Sequence, residues 1–369
     1  MKALVYRGIN DLRVETVPVP PIKSDEILVK VAVCGVCPTD IKKIQYGTVA
    51  PPRIFGHETS GTIARVGARV RKLRVGDRVG LHHHVPCLQC HVCRHHAFAQ
   101  CKTYQRTGIT AGFEPSGGGY AEYVRVMPFV FPGIVKIPPK NSFVEGAMLE
   151  PVNTVLKAIH RLNLLRGDYV LVAGQGPIGL MFTRLLSLRG IHVIASDLFE
   201  LRLKLAKSFG AGFTVDAADP RFEEAVISMT RKQRLDAAII AVPSDEAVLL
   251  AERLVRGGGQ TLLFAHTRRG SRLSLDSSSI CVDEKDMIGS YSSDVTLQKE
   301  VARLIFSRKM NTHKLVTHEF SLESAAQAIQ LAANPAADSL KIIIAQKTKM
   351  IKKLRANAHL NFSFTPRRE

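Results

Sequence analysis

The segment Tyr169-Val-Leu-Val-Ala-Gly-Gln-Gly-Pro-Ile-Gly179 joins an apolar run of strand length to three glycines spaced Gly-x-Gly-x-x-Gly. Apolar residues at helical spacing follow over residues 178–188. Glycines in this context allow a tight turn and a close approach of the backbone to a pyrophosphate, which binds at the helix N-terminus. The motif therefore predicts a dinucleotide site. Its predicted cofactor-binding residues are Gly174, Gly176, Pro177, Ile178 and Gly179.

Strand and helix patterns continue to alternate after this motif. Strand patterns cover residues 192–196, 237–242 and 260–265, and helix patterns cover residues 201–209 and 246–256. Alternating strands and helices predict a parallel sheet with helices on both faces.

Two charged residues after the second strand bear on the choice of cofactor. Asp197 stands eighteen residues after Gly179. A carboxylate at this place accepts hydrogen bonds from ribose hydroxyls and repels a 2′-phosphate, which predicts NAD rather than NADP. Arg202 would tolerate some phosphate and keeps NADP open as the less favoured cofactor. Asp197 could instead, or also, cap the following helix.

The N-terminal part of the chain has a different pattern. Strand periodicity appears at residues 1–6 and 26–33, and shorter strands with turns at residues 62–67, 76–80 and 120–126. These patterns predict a β-rich first domain. At 369 residues the chain exceeds what one hydrophobic core usually supports, which favours two domains.

Four cysteines fall within fifteen residues, separated by two, two and seven residues. Four thiolates complete a tetrahedron around zinc and leave no position for water or substrate, so such a site only holds a loop in shape. The alternatives are a histidine (His91, His95 or His96) in place of one thiolate, a disulfide pair, or four unrelated buried cysteines. The predicted ligands are Cys87, Cys90, Cys93 and Cys101.

Further motifs flank this loop in a fixed order. They are Cys34-Gly-Val-Cys37-Pro-Thr39-Asp40, Gly56-His57-Glu58, Glu150-Pro151 and the glycine motif. With these motifs in this order, the chain resembles the zinc-dependent medium-chain alcohol and polyol dehydrogenases, from about residue 1 to residue 346.

The resemblance implies an α/β fold made of two domains. A β-rich GroES-like catalytic domain would comprise residues 1–150 and 291–346, with the structural-zinc loop at residues 87–101. A Rossmann dinucleotide-binding domain with a doubly wound parallel sheet would comprise residues 151–290. Residues 347–369 would form a basic C-terminal extension.

The resemblance also implies a catalytic zinc, which needs three protein ligands and one open position. Cys37 and His57 match the family's ligands. Glu58 is a ligand in the polyol branch or lies just outside the coordination sphere. Glu150 is expected to bind the metal directly or through water, and its alternative role is that of a salt-bridge partner near the cleft.

Two residues next to Cys37 have implied roles in proton handling. Thr39 would hydrogen-bond the substrate oxygen and pass its proton on, and Asp40 would fix the tautomer of His57. Many relatives carry a histidine two residues after Asp40, where this chain has Lys42, so the end of the relay would be this lysine or water. Two milder departures from the family pattern are Pro38, where glycine is commoner, and His95 in the loop, at about the place of a glycine.

Other cysteines and histidines resemble ligands less well. Cys34 fits a buried strand residue. Residues 82–84 are three histidines that would alternate faces in a strand, and we interpret them as lining the cleft or packing beside the zinc loop. Residues 264–266 and 289–291 are expected to border the nicotinamide.

The implied activity is hydride transfer between a secondary alcohol of a polyol or sugar and NAD, giving a ketone, with two zinc ions per chain. A threonine-type amino-alcohol dehydrogenase is the alternative. A polyanion-binding protein on a dehydrogenase scaffold is a remote one. The family's members are commonly homodimers or homotetramers.

The chain carries 51 Lys and Arg against 32 Asp and Glu, a net charge of +19. Residues 347–369 contribute +6 of this charge. Because the other basic residues are spread without interleaved aromatic residues, nucleic-acid binding is not favoured. Cysteines at metal spacing favour a reducing cytoplasm, and no apolar run reaches the length of a membrane helix.

Overall fold

The computed structural model describes residues 1–83, 85–104, 108–113, 117–265, 270 and 272–346. The predicted basic extension at residues 347–369 lies outside this described part, as do His84 and His266. In the described part no helix is long and apolar enough to span a bilayer.

The described residues form sixteen strands and eleven α-helices. The strands are β1 (Lys2–Gly8), β2 (Asp11–Thr16), β3 (Ile27–Gly35), β4 (Glu58–Val66), β5 (Arg78–Gly80), β6 (Ile109–Thr110), β7 (Tyr123–Val126), β8 (Val135–Lys136), β9 (Tyr169–Ala173), β10 (His192–Asp197), β11 (Phe213–Asp216), β12 (Leu235–Ile240), β13 (Val255–Leu263), β14 (Asp286–Gly289), β15 (Val316–Phe320) and β16 (Lys341–Ala345). The helices are α1 (Pro38–Tyr46), α2 (His91–Arg94), α3 (Phe143–Ala147), α4 (Leu149–Ile159), α5 (Pro177–Leu188), α6 (Glu200–Ser208), α7 (Phe222–Met229), α8 (Asp245–Leu254), α9 (Ser277–Val282), α10 (Gln298–Phe306) and α11 (Ala325–Ala333).

The β-rich part is built on one sheet with the strand order β15-β16-β3-β4-β5-β8, to which β7 and β6 are added beside β3. Strands β3 and β4 are antiparallel and pair from Ile27 with Val66 to Gly35 with Glu58. Strand β16 pairs with the same end of β3. The register therefore brings one end of each of β3, β4 and β16, near residues 35, 58 and 341, together at one end of this sheet.

The second sheet is fully parallel and has the order β11-β10-β9-β12-β13-β14. Its central strand β9 is buried throughout and has the predicted bounds. Gly174 follows it with a φ of +89°, and a Cβ on Gly179 would lie 1.7 Å from the carbonyl oxygen of Gly174. Only glycine fits this turn, so the predicted strand–turn–helix unit with parallel strands and helices on both faces is confirmed.

Apolar side chains form a separate core inside the β-rich part and one core on each face of the parallel sheet. Val301 and Ile305 of α10 pack in the same core as residues of α4 and α5. Helix α4 crosses the predicted border between residues 150 and 151. The domain limits 1–150, 151–290 and 291–346 stay a prediction.

The predicted boundary between α8 and β13 is wrong. The helix pattern at residues 246–256 ends at Leu254, and Arg256 already belongs to strand β13. This strand continues through Gly257 to Gly259, with Gly258 at a φ of +67°. The glycines lie where the register with β12 shifts, between the pairs Leu235–Val255 and Ala237–Gln260, and glycine within a strand is typical of such an irregularity.

Candidate active site and metal clusters

Cys37, His57 and Glu58 form one cluster of ligand atoms that lie within 4.8 Å of one another. Cys37 is the N-cap residue of α1, and Glu58 is the first residue of β4. Gly56, with a φ of +96°, turns the chain just before His57. The three side chains come from two segments that the pairing of β3 with β4 holds side by side.

Asp40 orients the ring of His57. The Nδ1 atom of His57 lies 3.2 Å from Oδ2 of Asp40, which also accepts a hydrogen bond from the hydroxyl of Tyr120 at 3.2 Å. This leaves Nε2 of His57 for a metal. Burial lowers the pKa of His57, but the charges of Asp40 and Cys37 outweigh it, so the pKa is raised well above its ordinary value. The surroundings of His57 thus favour a positive charge at this site, either on the protonated imidazole or on a bound cation.

Lys341 is a residue of this site that the sequence reasoning missed. Its Nζ donates to Oε1 of Glu58 at 2.6 Å, contacts Oε2, and donates to the carbonyl of Val36 at 2.9 Å. Lys341 and Glu58 are both buried, at 5% and 2% exposure. The only sequence signal was a lysine at the start of an otherwise apolar strand. The buried lysine neutralises part of the charge of the carboxylate.

Glu150 lies in the first turn of α4 and is buried. The structure does not bring its carboxylate into the cluster formed by Cys37, His57 and Glu58. Burial raises the pKa of Glu150 to about 7, with the charge of His57 opposing the shift and that of Glu58 adding to it. Glu150 is thus a carboxyl group that interacts electrostatically with the cluster without belonging to it.

The donor set of this cluster fits zinc. A thiolate, an imidazole and a carboxylate are the ligands that catalytic zinc sites combine, with metal–ligand bonds of about 2.0–2.3 Å. Ligand atoms around a tetrahedral ion of that size are roughly 3.5 Å apart. The observed grouping within 4.8 Å is compatible with such an ion after a small adjustment.

The four cysteines of the loop also converge. Their sulfur atoms lie 3.5 Å apart for Cys90 and Cys93, 3.7 Å for Cys87 and Cys101, and 3.8 Å for Cys90 and Cys101. Zinc–sulfur bonds of about 2.3 Å place tetrahedral thiolates roughly 3.8 Å apart. None of the four is in a disulfide. The neighbouring histidines are not part of this ligand group.

Backbone donors favour a thiolate at Cys101. Burial raises the pKa of Cys101, but hydrogen bonds from the backbone of Cys87, Tyr104 and Thr103 outweigh it and bring the pKa to about 6. A thiolate is the form that binds zinc.

Tyr104 connects the cysteine loop to the segment after β14. Its hydroxyl contacts Oγ of Ser292 and accepts a hydrogen bond from the backbone N–H of Ser293 at 3.3 Å. The Oγ of Ser293 lies 3.3 Å from Nε2 of His82, which is completely buried. The His83 ring is 4.8 Å from the ring of His57. Strand β5 ends at residue 80, so these histidines follow the strand rather than alternating along it.

Cys34 lies in β3 outside both clusters. Its Sγ is 3.4 Å from the hydroxyl of Thr59, and burial raises its pKa to about 12. A thiol held neutral in this way is a packing residue.

A cleft of about 1670 Å³ is lined by residues of α1 and by residues at the carboxyl ends of strands β12 and β13. Thr39 and Lys42 of α1 and Phe264 after β13 are among them. Residues 289–291 also line it, and their place beside a nicotinamide stays a prediction. Thr39 is two residues after Cys37, so the cleft is adjacent to the first metal cluster.

The carboxylate of Asp197 is engaged by the backbone. Its Oδ2 accepts from the N–H of Gln175 at 2.7 Å and its Oδ1 from the N–H of Phe199 at 3.0 Å. Phe199, rather than Asp197, is the N-cap residue of α6. The guanidinium of Arg202 lies 3.8 Å from Asp197 and donates to the carbonyl of Ser339 at 3.3 Å. Asp197 and Arg202 are therefore held together beside the glycine turn.

Comparisons with known proteins agree with this arrangement. Residues 23–139 match the alcohol dehydrogenase GroES-like domain, and residues 177–307 match the zinc-binding dehydrogenase domain. Sorbitol dehydrogenase of Bacillus subtilis (strain 168) is 30% identical over 351 residues, which are 93% of this chain and 97% of that protein.

Two solved structures share the whole architecture. Galactitol-1-phosphate dehydrogenase of Escherichia coli is 29% identical with a TM-score of 0.81, covering 94% of this chain and 100% of that chain. A Sinorhizobium meliloti 1021 protein described as a zinc-binding dehydrogenase was solved with NADP. It is 26% identical with a TM-score of 0.84, covering 93% of this chain and 98% of that chain.

Proposed function

This chain belongs to the zinc-dependent medium-chain alcohol and polyol dehydrogenases, and we propose that it transfers hydride between a secondary alcohol of a polyol and NAD, giving a ketone. The observation that carries the proposal is the convergence of Cys37, His57 and Glu58 within 4.8 Å, next to a cleft that reaches the dinucleotide-type sheet. A thiolate, an imidazole and a carboxylate beside such a cleft suit an open zinc site.

In this proposal each chain holds two zinc ions. Cys37, His57 and Glu58 hold the catalytic ion, with Glu150 close enough to bind it through water. The four loop cysteines hold the structural ion. When bound, the catalytic ion supplies Lewis acidity that favours the deprotonated alcohol.

The protein's own residues would then orient the alcohol and move its proton. Thr39 lines the cleft, and its Oγ1 would accept the alcohol proton while its own hydroxyl proton is passed on. Lys42 lies one helical turn further along α1 and lines the same cleft, in place to take the proton onward to water. Asp40 keeps the Nδ1 atom of His57 protonated. Lys341 fixes the carboxylate of Glu58 through its hydrogen bond to Oε1.

We propose NAD as the favoured cofactor, bound at the glycine turn with its adenine ribose near Asp197. Both oxygens of Asp197 accept backbone N–H groups, and a carboxylate at this place repels a 2′-phosphate. The Sinorhizobium relative was solved with NADP, and Arg202 supplies a cation that such a phosphate would use. The two cofactors should therefore be compared directly.

Two relatives named above, a sorbitol dehydrogenase and a galactitol-1-phosphate dehydrogenase, support a polyol substrate. The test is reduction of NAD and NADP by the purified protein with sorbitol, xylitol, galactitol, L-threonine and 2-butanol, before and after chelation. We expect a polyol to be oxidised, with NAD preferred and with loss of activity on chelation. Turnover of L-threonine alone would replace the polyol proposal by the amino-alcohol alternative.

The matched control for this assay is the variant Lys72→Ala, which alters an exposed lysine away from the cleft. It should behave as the wild type, whereas His57→Ala should be inactive. Oxidation of a polyol by His57→Ala at the wild-type rate would contradict the proposed site.

A further inference from the structure

The lining of the cleft carries an excess of positive charge among the described residues. Five of the lining side chains are lysine or arginine and two are aspartate. The cations are Lys42, Lys43, Lys157, Arg161 and Arg272, and the anions are Asp245 and Asp294. Three histidines add to the basic character of the walls. A neutral polyol requires no such excess.

The two aspartates are committed to local structure. Oδ1 of Asp294 accepts from the backbone N–H of Thr296 at 2.8 Å and from its hydroxyl at 2.6 Å. Asp245 lies in the first turn of α8, where a carboxylate interacts with the helix N-terminus. Both carboxylates therefore interact first with their own segments.

Two of the cations form hydrogen bonds with backbone carbonyl groups. Lys157 donates to the carbonyl of Tyr291 at 2.7 Å, and Arg161 donates to the carbonyl of Gly289. A carbonyl group carries no net charge. Burial lowers the pKa of Lys157, with Asp294 opposing the shift, and burial also lowers the pKa of Lys42. An anion in the cleft would relieve the cost of burying these ammonium groups.

Helix geometry places two lysines close to the reacting position. Thr39, Lys42, Lys43 and Tyr46 of α1 all line the cleft, at the spacing of one helix face. Lys42 and Lys43 follow Thr39 by about 4.5 and 6 Å along the helix axis. That offset suits an anionic group a few carbon atoms from the alcohol that Thr39 would bind.

The cofactor has its own place for phosphate. The pyrophosphate is expected at the glycine turn before α5, and none of the three motif glycines lines this cleft. The cations of α1 belong to the β-rich part, whereas the glycine turn belongs to the parallel sheet. They are therefore separate from the groups that hold the dinucleotide at the turn.

We propose that the substrate of this cleft is a phosphorylated polyol, whose phosphate monoester is bound by Lys43 of α1. The inference rests on the proposed function and narrows its substrate class. A phosphate monoester carries about −1.5 to −2 charge at neutral pH, which matches the excess of cations over aspartates in the cleft. Lys43 is then a specificity-determining residue.

The experiment compares kcat/KM for sorbitol and sorbitol 6-phosphate, and for galactitol and galactitol 1-phosphate, on the same enzyme preparation. We expect the phosphorylated member of at least one pair to be preferred by about a hundredfold. In Lys43→Gln this preference should fall about tenfold or more, because a charge-assisted contact is lost. Because the preference is a ratio on one preparation, it does not depend on the fraction of folded variant.

Lys72→Gln is the matched control, since Lys72 is exposed and does not line the cleft. It should keep the wild-type preference. Raised salt should increase the KM of the phosphorylated polyol more than that of the neutral one. An equal fall for both substrates in Lys43→Gln, together with a raised KM for the dinucleotide, would assign Lys43 to the cofactor and overturn the inference.

Two further outcomes separate the inference from the proposed function. Equal or better oxidation of the neutral polyols, or of a carboxylated sugar acid, would overturn the phosphate assignment and leave the dehydrogenase proposal standing. No oxidation of any polyol by protein that contains zinc and binds NAD would overturn both.

Discussion

The two ligand clusters of this molecule are assembled in different ways. The four cysteines lie within fifteen residues of one loop, and short-range turns bring their sulfur atoms together. Cys37 and His57 come from the ends of two strands, and the partner of Glu58, Lys341, comes from a strand 283 residues further along. The first cluster depends on a local loop, whereas the second depends on the register of a whole sheet.

The clusters also differ in what they leave available. Four thiolates close a tetrahedral site, while the three-residue cluster contains mixed donors and lies beside a cleft. One cluster should therefore contribute to stability and the other to reactivity. The following variants test this division.

The largest expected effect is on activity. Cys37→Ser removes a ligand of the proposed catalytic zinc and should lower kcat/KM roughly a thousandfold or more, since Lewis-acid stabilisation supplies several kcal/mol. Steady-state kinetics and zinc analysis measure the outcome. Cys34→Ser is the control, because Cys34 lies outside the cluster and should keep both zinc ions. Retention of both ions and full activity by Cys37→Ser would remove this cysteine from the site.

Breaking the cysteine loop should change stability instead. Cys101→Ser should lose one zinc ion and about 5 kcal/mol or more of unfolding free energy, because binding of a structural metal contributes directly to folding. Denaturant unfolding measures the loss, and kcat per folded molecule should change less than tenfold. His95→Ala, a neighbour outside the ligand group, should retain the zinc. A fall in kcat as large as that of Cys37→Ser would abolish the distinction between the clusters.

Lys341→Met tests the buried partner of the reactive cluster. It leaves the carboxylate of Glu58 buried without its cation, at a cost of about 3–4 kcal/mol. The loss should be greater in chelated protein than in zinc-loaded protein, because the metal supplies a second positive charge. Chemical unfolding of both forms provides the measurement, with Lys341→Arg as the charge-conserving control. Equal stability of Lys341→Met and wild type after chelation would show that the ion pair is unimportant.

The smallest effect concerns His82, a buried histidine whose Nε2 lies 3.3 Å from Oγ of Ser293. Burial lowers the pKa of His82 from 6.5 to about 4, with Asp294 opposing the shift. Below pH 6.5 the unfolded chain takes up a proton that the folded protein excludes, so stability is complete above that pH and falls between pH 6.5 and 4. The loss attributable to this residue reaches about 3 kcal/mol.

His82→Gln removes the titration while keeping an amide able to reach Ser293. Unfolding free energies of wild type and variant, measured from pH 7 to pH 4, should therefore converge or cross as the pH falls. A constant difference across that range would mean that His82 is protonated or exposed in the folded protein.

Much of the fold could be read from local patterns. Strand β9 has the predicted bounds, because a continuous apolar run bounded by turns leaves little ambiguity. Helix α1 was not predicted, although Pro38 at its start and Gly47 at its C-cap are helix boundary signals. Its short polar sequence has little apolar periodicity. Helix α4 was also missed, since it is buried almost all round and contains Pro151 in its first turn.

The candidate site shows the same limit. The four-cysteine loop could be recognised from spacing alone, and the grouping of Cys37 with His57 from motif order. Lys341 could not be found, because its relation to Glu58 depends on the pairing of β16 with β3. The cationic face of the cleft likewise combines side chains of α1 with others from α4 and the loop after β13, which no local pattern joins.

The most direct test of the two-cluster account is stepwise zinc removal from the wild-type protein, with zinc per chain, alcohol oxidation and far-UV circular dichroism followed together. The account predicts two zinc ions per chain. Activity should disappear with the first ion removed and return on its replacement while the fold is retained, and the second ion should leave only on unfolding. Full activity after removal of the first ion, or a single zinc ion per chain in active protein, would contradict it.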